Sequence, residues 1–400
     1  MNNIDNGLSD KKIRIGFLSQ FSPFDKRASS GTNYSIAKQL SKIGELEWIP
    51  IRERPLHRYI RGAGRRIARL FGKNFDLANT RFGSKLLFHN VNDEVFRKYD
   101  IVCAFFCMSN MFYLDFHKIP VIYFSDATFP CILNYYPTYT NLPGFGEREG
   151  RILEEIAVSK ATCCVYGSDW AAQSAIMDLK KNPDQVKVVE YGANISDEEI
   201  EKYNKIHKAK EFSLPLQILF LGVDWNRKGG NIAAEAVGWL NSQGIPATLH
   251  VVGIPPERVP EKYGNLDYVK LHGFLNKNVE SDYEKLASII QTSHCLLLPT
   301  KAECSAIAFA EASAFGLPIF THDTGGIANY VIGGLNGYRL PLGSTGEDFG
   351  RQILLSFQND ELSEMSLQGQ RLYKEKLNWN HWGEEIKKII NEIMRVHSTC

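Results

Sequence analysis

Residues 299–318 read Pro-Thr-Lys-Ala-Glu-Cys-Ser-Ala-Ile-Ala-Phe-Ala-Glu-Ala-Ser-Ala-Phe-Gly-Leu-Pro. The run leaves an apolar strand, Cys295 to Leu298, and enters a helix. Glu303 stands at the mouth of that helix, and Glu311 follows about two turns on at 3.6 residues per turn. A strand that hands over to a helix in this way belongs to an α/β parallel sheet, whose ligands bind beyond the strand C-termini. The first amides of a helix have no partner inside it, so Ala306 and Ile307 are expected to offer N–H groups to an anion. Free amides flanked by carboxylates suit a ligand carrying both phosphate and hydroxyls, which describes a sugar nucleotide.

The same alternation of strand and helix extends outward on both sides. Gln217 to Leu221, Leu249 to Val252, Val269 to Leu271 and Pro318 to Phe320 read as further strands. A second set lies nearer the N-terminus: Ile13 to Leu18, Ile101 to Phe106, Val121 to Phe124, Thr162 to Tyr166 and the shorter Val186 to Val189. There, Gly31 to Ile43 reads as a loop leading into a helix. Between the sets, Ser196 to Glu211 is charged, has little apolar periodicity and is expected to connect two domains. The pattern predicts an α/β chain of two Rossmann-like domains facing a cleft, residues 1–205 and 206–375. The last helix, Trp379 to Val396, carries Trp382, Ile386, Ile389, Ile390 and Ile393 on one stripe.

Composition narrows the function. The chain has 400 residues, 44% of them hydrophobic, which allows full cores. A net charge of +1 gives no whole-chain case for nucleic acid. No apolar run reaches about 18 residues, and Met1 to Lys12 lacks the apolar core of a signal peptide. The eight cysteines contain no C-x-x-C pair and lie mostly in apolar strand-like runs, so buried free thiols in a reducing cytosol are expected. No Cys/His cluster has metal-ligand spacing, and no Asp-x-Asp occurs, so no metal site or cofactor is expected.

Four ordered motifs then carry a resemblance. Glu303, seven residues, Glu311 and Ala312-x-Ala314-x-Gly316-Leu317-Pro318 are similar to the hallmark of retaining glycosyltransferases of family 4, which have the GT-B fold. Asp323-Thr324-Gly325-Gly326 and Gly334-Leu335-Asn336-Gly337-Tyr338-Arg339-Leu340-Pro341 follow in the family's order. Upstream, Gly222-Val223-Asp224-Trp225-Asn226-Arg227-Lys228-Gly229-Gly230 resembles its phosphate-binding loop. The resemblance is tight over residues 215–341 and looser over 12–195. It implies that the last helix, about 376–400, crosses back to the first domain. It also implies that Glu311 contacts the nucleotide ribose and Glu303 the donor-sugar hydroxyls. Arg227 and Lys228 would neutralise the departing diphosphate. Ala306 takes the place of the family's usual glycine before the helix. Ser29-Ser30-Gly31-Thr32-Asn33 takes the place of a glycine pair that touches donor or acceptor, the alternative being Thr32 as a plain helix N-cap. Asp126, after the strand ending at Phe124, stands where relatives place a histidine. A carboxylate there can accept from a hydroxyl or stabilise charge at the anomeric carbon, or simply cap the following turn.

One segment stands apart. Between Arg52 and Lys73 lie Arg52, Arg54, Arg58, Arg61, Arg65, Arg66, Arg69 and Lys73 against Glu53 alone. Leu56, Ile60, Ala63, Ile67 and Leu70 recur at helical spacing beside an arginine stripe. A basic amphipathic helix can lie on an anionic membrane surface; the plainer alternative is a solvated face packed on its apolar stripe. The expectation is a metal-independent, retaining hexosyltransferase at the cytoplasmic membrane face. It takes a nucleoside-diphosphate sugar as donor and a glycan or lipid-linked acceptor, in polysaccharide, glycolipid or glycoconjugate synthesis. Its expected catalytic residues are Asp126 and Glu303. Donor binding is expected from Gly31, Arg227, Lys228, Ala306, Ile307 and Glu311. A sugar-nucleotide epimerase of the same fold and a non-catalytic sugar-nucleotide binder at the membrane are the alternatives.

Overall fold

The computed structural model describes residues 12–25, 31–55, 57–88, 91–206 and 210–398. Ser29 and Ser30, Leu56 of the apolar stripe, Cys400 and nearly all of the polar N-terminal segment lie outside the described residues. Twelve strands form two sheets. The first holds β1 (Arg14–Ser19), β2 (Glu45–Pro50), β3 (Ile101–Phe105), β4 (Val121–Ser125), β5 (Cys163–Tyr166) and β6 (Val186–Val188) in the order β2-β1-β3-β4-β5-β6. The second holds β7 (Leu216–Leu221), β8 (Ala247–Val252), β9 (Val269–Gly273), β10 (Cys295–Leu298), β11 (Ile319–His322) and β12 (Gly337–Leu340) in the order β12-β11-β10-β7-β8-β9. Neighbouring strands are parallel throughout. Parallel strands covered on both faces read as continuous apolar runs, and β3, β4, β5 and β10 are buried along their whole length.

The ten expected strands are present with their ends moved by a residue or two. Two edge strands were not expected. Glu45-Leu46-Glu47-Trp48-Ile49-Pro50 alternates polar and apolar side chains and keeps one face half open, so it lacks the continuous apolar signature. The four-residue β12 lies inside a glycine-rich motif that reads as loop.

The linker expectation needs correction. Asp197–Ile206 is a helix, and Ala193, Ile195 and Ile200 belong to the core of the second sheet, whereas Val189 and Tyr191 belong to the first. The chain therefore crosses over near residue 192, not 205. It crosses back near residue 378, between Leu377 of the second core and Trp379 of the first. The helix Trp379–Ser398 then lies against the helix Thr32–Ile43 of the first domain. Trp382, Ile386 and Ile390 are fully buried there beside Phe17, Ile36 and Leu40. The Trp382 ring lies 5.4 Å from that of Phe124 and 5.6 Å from that of Trp379.

Hydrogen bonds tie the two domains together. Tyr191 N–H donates to Tyr330 Oη at 3.0 Å, and that hydroxyl donates to the Gly167 carbonyl at 3.2 Å. Asn329 Nδ2 donates to the buried Glu190 carboxylate at 2.7 Å, which also pairs with Lys376 at 2.7 Å. Among the described residues no helix is long and apolar enough to cross a membrane.

Candidate active site between the two sheets

Three loops leave the C-terminal ends of β7, β9 and β10 and enclose a cavity of about 400 Å³. Its walls include Arg227, Lys228, Lys277, Glu303, Ala306, Ile307 and Glu311. The loop after β7 is bent tightly to get there. Gly229 has φ 77°, and a Cβ on it would lie 2.1 Å from the Pro299 carbonyl oxygen, so only glycine lets this loop pass the loop after β10. Lys301 N–H donates to the Arg227 carbonyl at 2.8 Å and joins the two loops.

The two cations share Glu303 as a partner. Lys228 is buried and its Nζ pairs with Glu303 Oε2. Arg227 Nη1 donates to the Ala302 carbonyl at 2.9 Å and lies 3.7 Å from the same Glu303 oxygen. Its guanidinium also sits 5.6 Å from the centre of the Tyr136 ring, which belongs to the first domain. Arg227 Nε also lies 3.9 Å from Asp224 Oδ2, and two cations placed side by side at a cavity wall suit a diphosphate.

The helix after β10 starts later than expected, at Ile307, with Ala306 as N-cap. Glu311 is therefore its fifth residue, little more than one turn in, not two. The reason is local: Ile307 N–H donates to the Ser305 carbonyl at 3.1 Å, a tight turn that closes before the helix begins. Of the two amides expected to be open to an anion, that of Ile307 is thus engaged. Glu311 is buried in an otherwise apolar helix and pairs with Lys277 Nζ through Oε1. Lys277 was not singled out by the sequence. Its position in the loop just past β9, where α/β sheets bind ligands, was the available signal.

On the first-domain side of the cleft, Asp126 directly follows β4 and lies within electrostatic reach of Glu303. Burial and the negative charge of Glu303 push its carboxyl up to about 7. Glu154, buried behind it, accepts from Tyr123 Oη at 3.0 Å and from Phe129 N–H at 3.3 Å, and burial pushes it up to about 7 as well. Tyr135 reaches across the cleft: its hydroxyl accepts from Glu303 N–H at 2.8 Å and shares a hydrogen bond with Thr324 Oγ1 at 2.9 Å. Gly325 explains the glycine motif that follows Thr324, since a Cβ there would lie 2.2 Å from Glu303 O and 2.3 Å from Tyr135 Oη. Tyr135 and Tyr136 were also missed; they lie in an aromatic run ten and eleven residues beyond the end of β4, with no spacing that marks them.

Gly31 departs from expectation. It is the N-cap of the helix Thr32–Ile43 with φ 96°, so Thr32 is the first helical residue and not the cap. It lines a neighbouring cavity of about 330 Å³, which shares Lys277 with the first but contains neither Arg227 nor Lys228. Among the described residues no three His, Cys, Asp or Glu side chains group as a metal site, and the seven described cysteines are unpaired.

Comparison with solved structures bears on this arrangement. The chain superposes on WaaG, a glycosyltransferase involved in lipopolysaccharide biosynthesis, with TM-score 0.62 and 17% identity over 94% of this chain and 99% of that one. It superposes on HepE of Anabaena in complex with UDP and glucose with TM-score 0.63 and 16% identity, covering 95% and 100%. Sucrose-phosphate synthase from Thermosynechococcus elongatus gives TM-score 0.66 at 12% identity, covering 96% and 100%.

The fold is GT-B.

Within this GT-B chain, residues 215–359 match the family model described as glycosyl transferases, group 1. That segment holds Arg227, Lys228, Lys277, Glu303 and Glu311, the whole second-domain side of the cavity. A curated relative is the D-inositol 3-phosphate glycosyltransferase of Jonesia denitrificans, 23% identical over 257 residues. The match spans 61% of this chain and 60% of that relative.

Proposed function

We propose that this protein is a retaining glycosyltransferase that takes a nucleoside-diphosphate sugar as donor and needs no metal. The observation that carries this reading is the cavity itself, whose walls bring together Arg227, Lys228, Glu303 and Glu311, with Asp126 of the first domain in electrostatic reach of Glu303. The diphosphate would take Glu303's place as partner of Arg227 and Lys228, and Glu303 would turn to the sugar hydroxyls. The anomeric C–O bond breaks with its electron pair going to the diphosphate. The acceptor oxygen bonds the same carbon on the same face, and its proton passes to the departing phosphate oxygen. Two fixed cations stabilise charge that develops only as that bond breaks, which is where preorganised electrostatics act most strongly. Ionised Asp126 would offset the positive charge on the sugar ring.

The test is release of free nucleoside diphosphate from UDP- and GDP-sugars with a mixed acceptor pool, run with and without chelator. Turnover that survives chelation, with the anomeric configuration kept, supports the reading. Complete loss on chelation restored by Mn²⁺ or Mg²⁺ overturns the metal-free part, and donor binding without turnover in any pool overturns the enzyme assignment.

The acceptor side of the reading is an anionic membrane surface at the helix His57–Leu70, with a glycan or lipid-linked acceptor beside it. None of this helix's residues is buried. Tyr59 is 80% exposed, Ile67 57%, Leu70 84% and Phe71, just beyond its end, 77%. The plainer alternative, in which the apolar stripe packs on the domain, does not describe this helix. Instead the inward side is basic: Arg61 pairs with Asp76 at 2.7 Å and with Glu53 at 3.3 Å, and Arg65 pairs with Asp76. The outward side presents aromatic and aliphatic groups next to Arg66 and Arg69, the make-up of a helix that sinks into a headgroup layer.

A further inference from the structure

Glu311 poses a physical problem. An ionised carboxylate is rarely buried without a partner, because desolvation is costly. Here it projects from Ile307–Ala314, a helix whose other residues are Ala, Ile, Phe and Ser. Among the described residues Lys277 engages its Oε1, and the side chain belongs to the cavity wall. Lys277 is itself a third exposed and sits in the loop between β9 and the helix Glu280–Thr292. An ion pair with one member in solvent contributes little to stability. It does fix the direction in which the buried acid points.

We propose that Lys277 is a positioning residue for the ribose end of the donor. It holds Glu311 turned so that Oε2 accepts a hydrogen bond from a ribose hydroxyl, while its own ammonium stays on Oε1. It does not act on the diphosphate, whose cations are Arg227 and Lys228. This inference rests on the reading of the cavity as a nucleotide-sugar site. It adds a residue from a different loop, placed there by no feature of the Glu-x7-Glu stretch.

The two roles separate in a ligand comparison. Titration calorimetry would measure UDP and GDP against their 2′-deoxy and 3′-deoxy forms on wild type, Lys277→Met, Lys277→Arg and Glu311→Gln. The wild type should lose roughly tenfold or more in affinity when the contacted hydroxyl is removed, the usual worth of a hydrogen bond to a charged group. In Lys277→Met the ribonucleotide should bind that much more weakly and the ribo-to-deoxy ratio should fall to about one, as in Glu311→Gln. Lys277→Arg should restore most of the ratio. For transfer, Lys277→Met should raise the donor KM and leave kcat within a few-fold. A Lys277→Met protein that keeps the wild-type ratio overturns the inference, as does a fall in kcat with the ratio intact, which would place the ammonium on the diphosphate. Should Lys277→Met not fold, Lys277→Gln takes its place, and the proposal is overturned if that variant keeps the wild-type ratio. Wild type that binds neither nucleotide overturns the site reading itself, a distinguishable outcome.

Discussion

At the scale of single residues, the candidate site is a set of charges paired with one another. Lys228 is tied to Glu303 and lies in a wall of the cavity. Lys228→Ala should therefore cost roughly 2–4 kcal/mol of transition-state stabilisation, the range for a lost donor at a developing anion. The check is kcat/KM for donor; turnover within a few-fold of wild type would place the diphosphate elsewhere. Asp126 gives the pH dependence. Its carboxyl is pushed up to about 7 by burial and by Glu303. If the ionised form works, kcat/KM should rise about tenfold between pH 6 and pH 8, the span of one titration, and Asp126→Asn should flatten that limb. The stability sign runs the other way. The folded chain holds this proton more tightly than the unfolded one, so the contribution is present below about pH 4 and is lost as pH rises through about 7. Denaturant unfolding of Asp126→Asn at pH 5 and pH 8 should show the variant gaining on wild type at the higher pH. An equal difference at both pH values would mean that the group does not titrate there.

At the scale of elements, the helix His57–Leu70 shows what a sequence stripe leaves undecided. The basic stripe and the apolar stripe were both visible, and the obvious orientation turns the apolar side inward. The fold does the reverse because Asp76 and Glu53 stand beneath the helix and take Arg61 and Arg65. Membrane contact should then depend on the outward residues. Ile67→Glu with Leu70→Glu should abolish co-sedimentation with anionic liposomes. Arg66→Gln and Arg69→Gln should weaken it by about 1 kcal/mol each, less at high salt. Arg61→Gln should change stability more than lipid binding. Wild type remaining in the supernatant with anionic liposomes at low salt would remove the membrane from the account.

At the scale of the whole molecule, the two domains are held at their crossings. Trp382 is fully buried between the returning helix and the first sheet, against Phe124 and Trp379. Trp382→Ala should cost about 3–5 kcal/mol, the range for deleting a large core aromatic, read as a lower denaturant midpoint. A change under about 1 kcal/mol would mean that the returning helix does not hold the first domain. The sequence by itself determined the two-sheet α/β architecture, since continuous apolar strands and helical stripes are local periodicities. It also singled out Arg227, Lys228, Glu303 and Glu311, which line one cavity, because the motifs that carry them lie within short stretches. Only the tertiary structure decided the crossing near residue 192, the late helix start that engages the Ile307 amide, and the move of Gly31 to a neighbouring cavity. It alone brought Lys277, Tyr135 and Tyr136 to the site and turned the apolar side of the basic helix outward. Each of these depends on which charge, carbonyl or ring stands opposite across loops distant in sequence, and local periodicity carries no record of those partners.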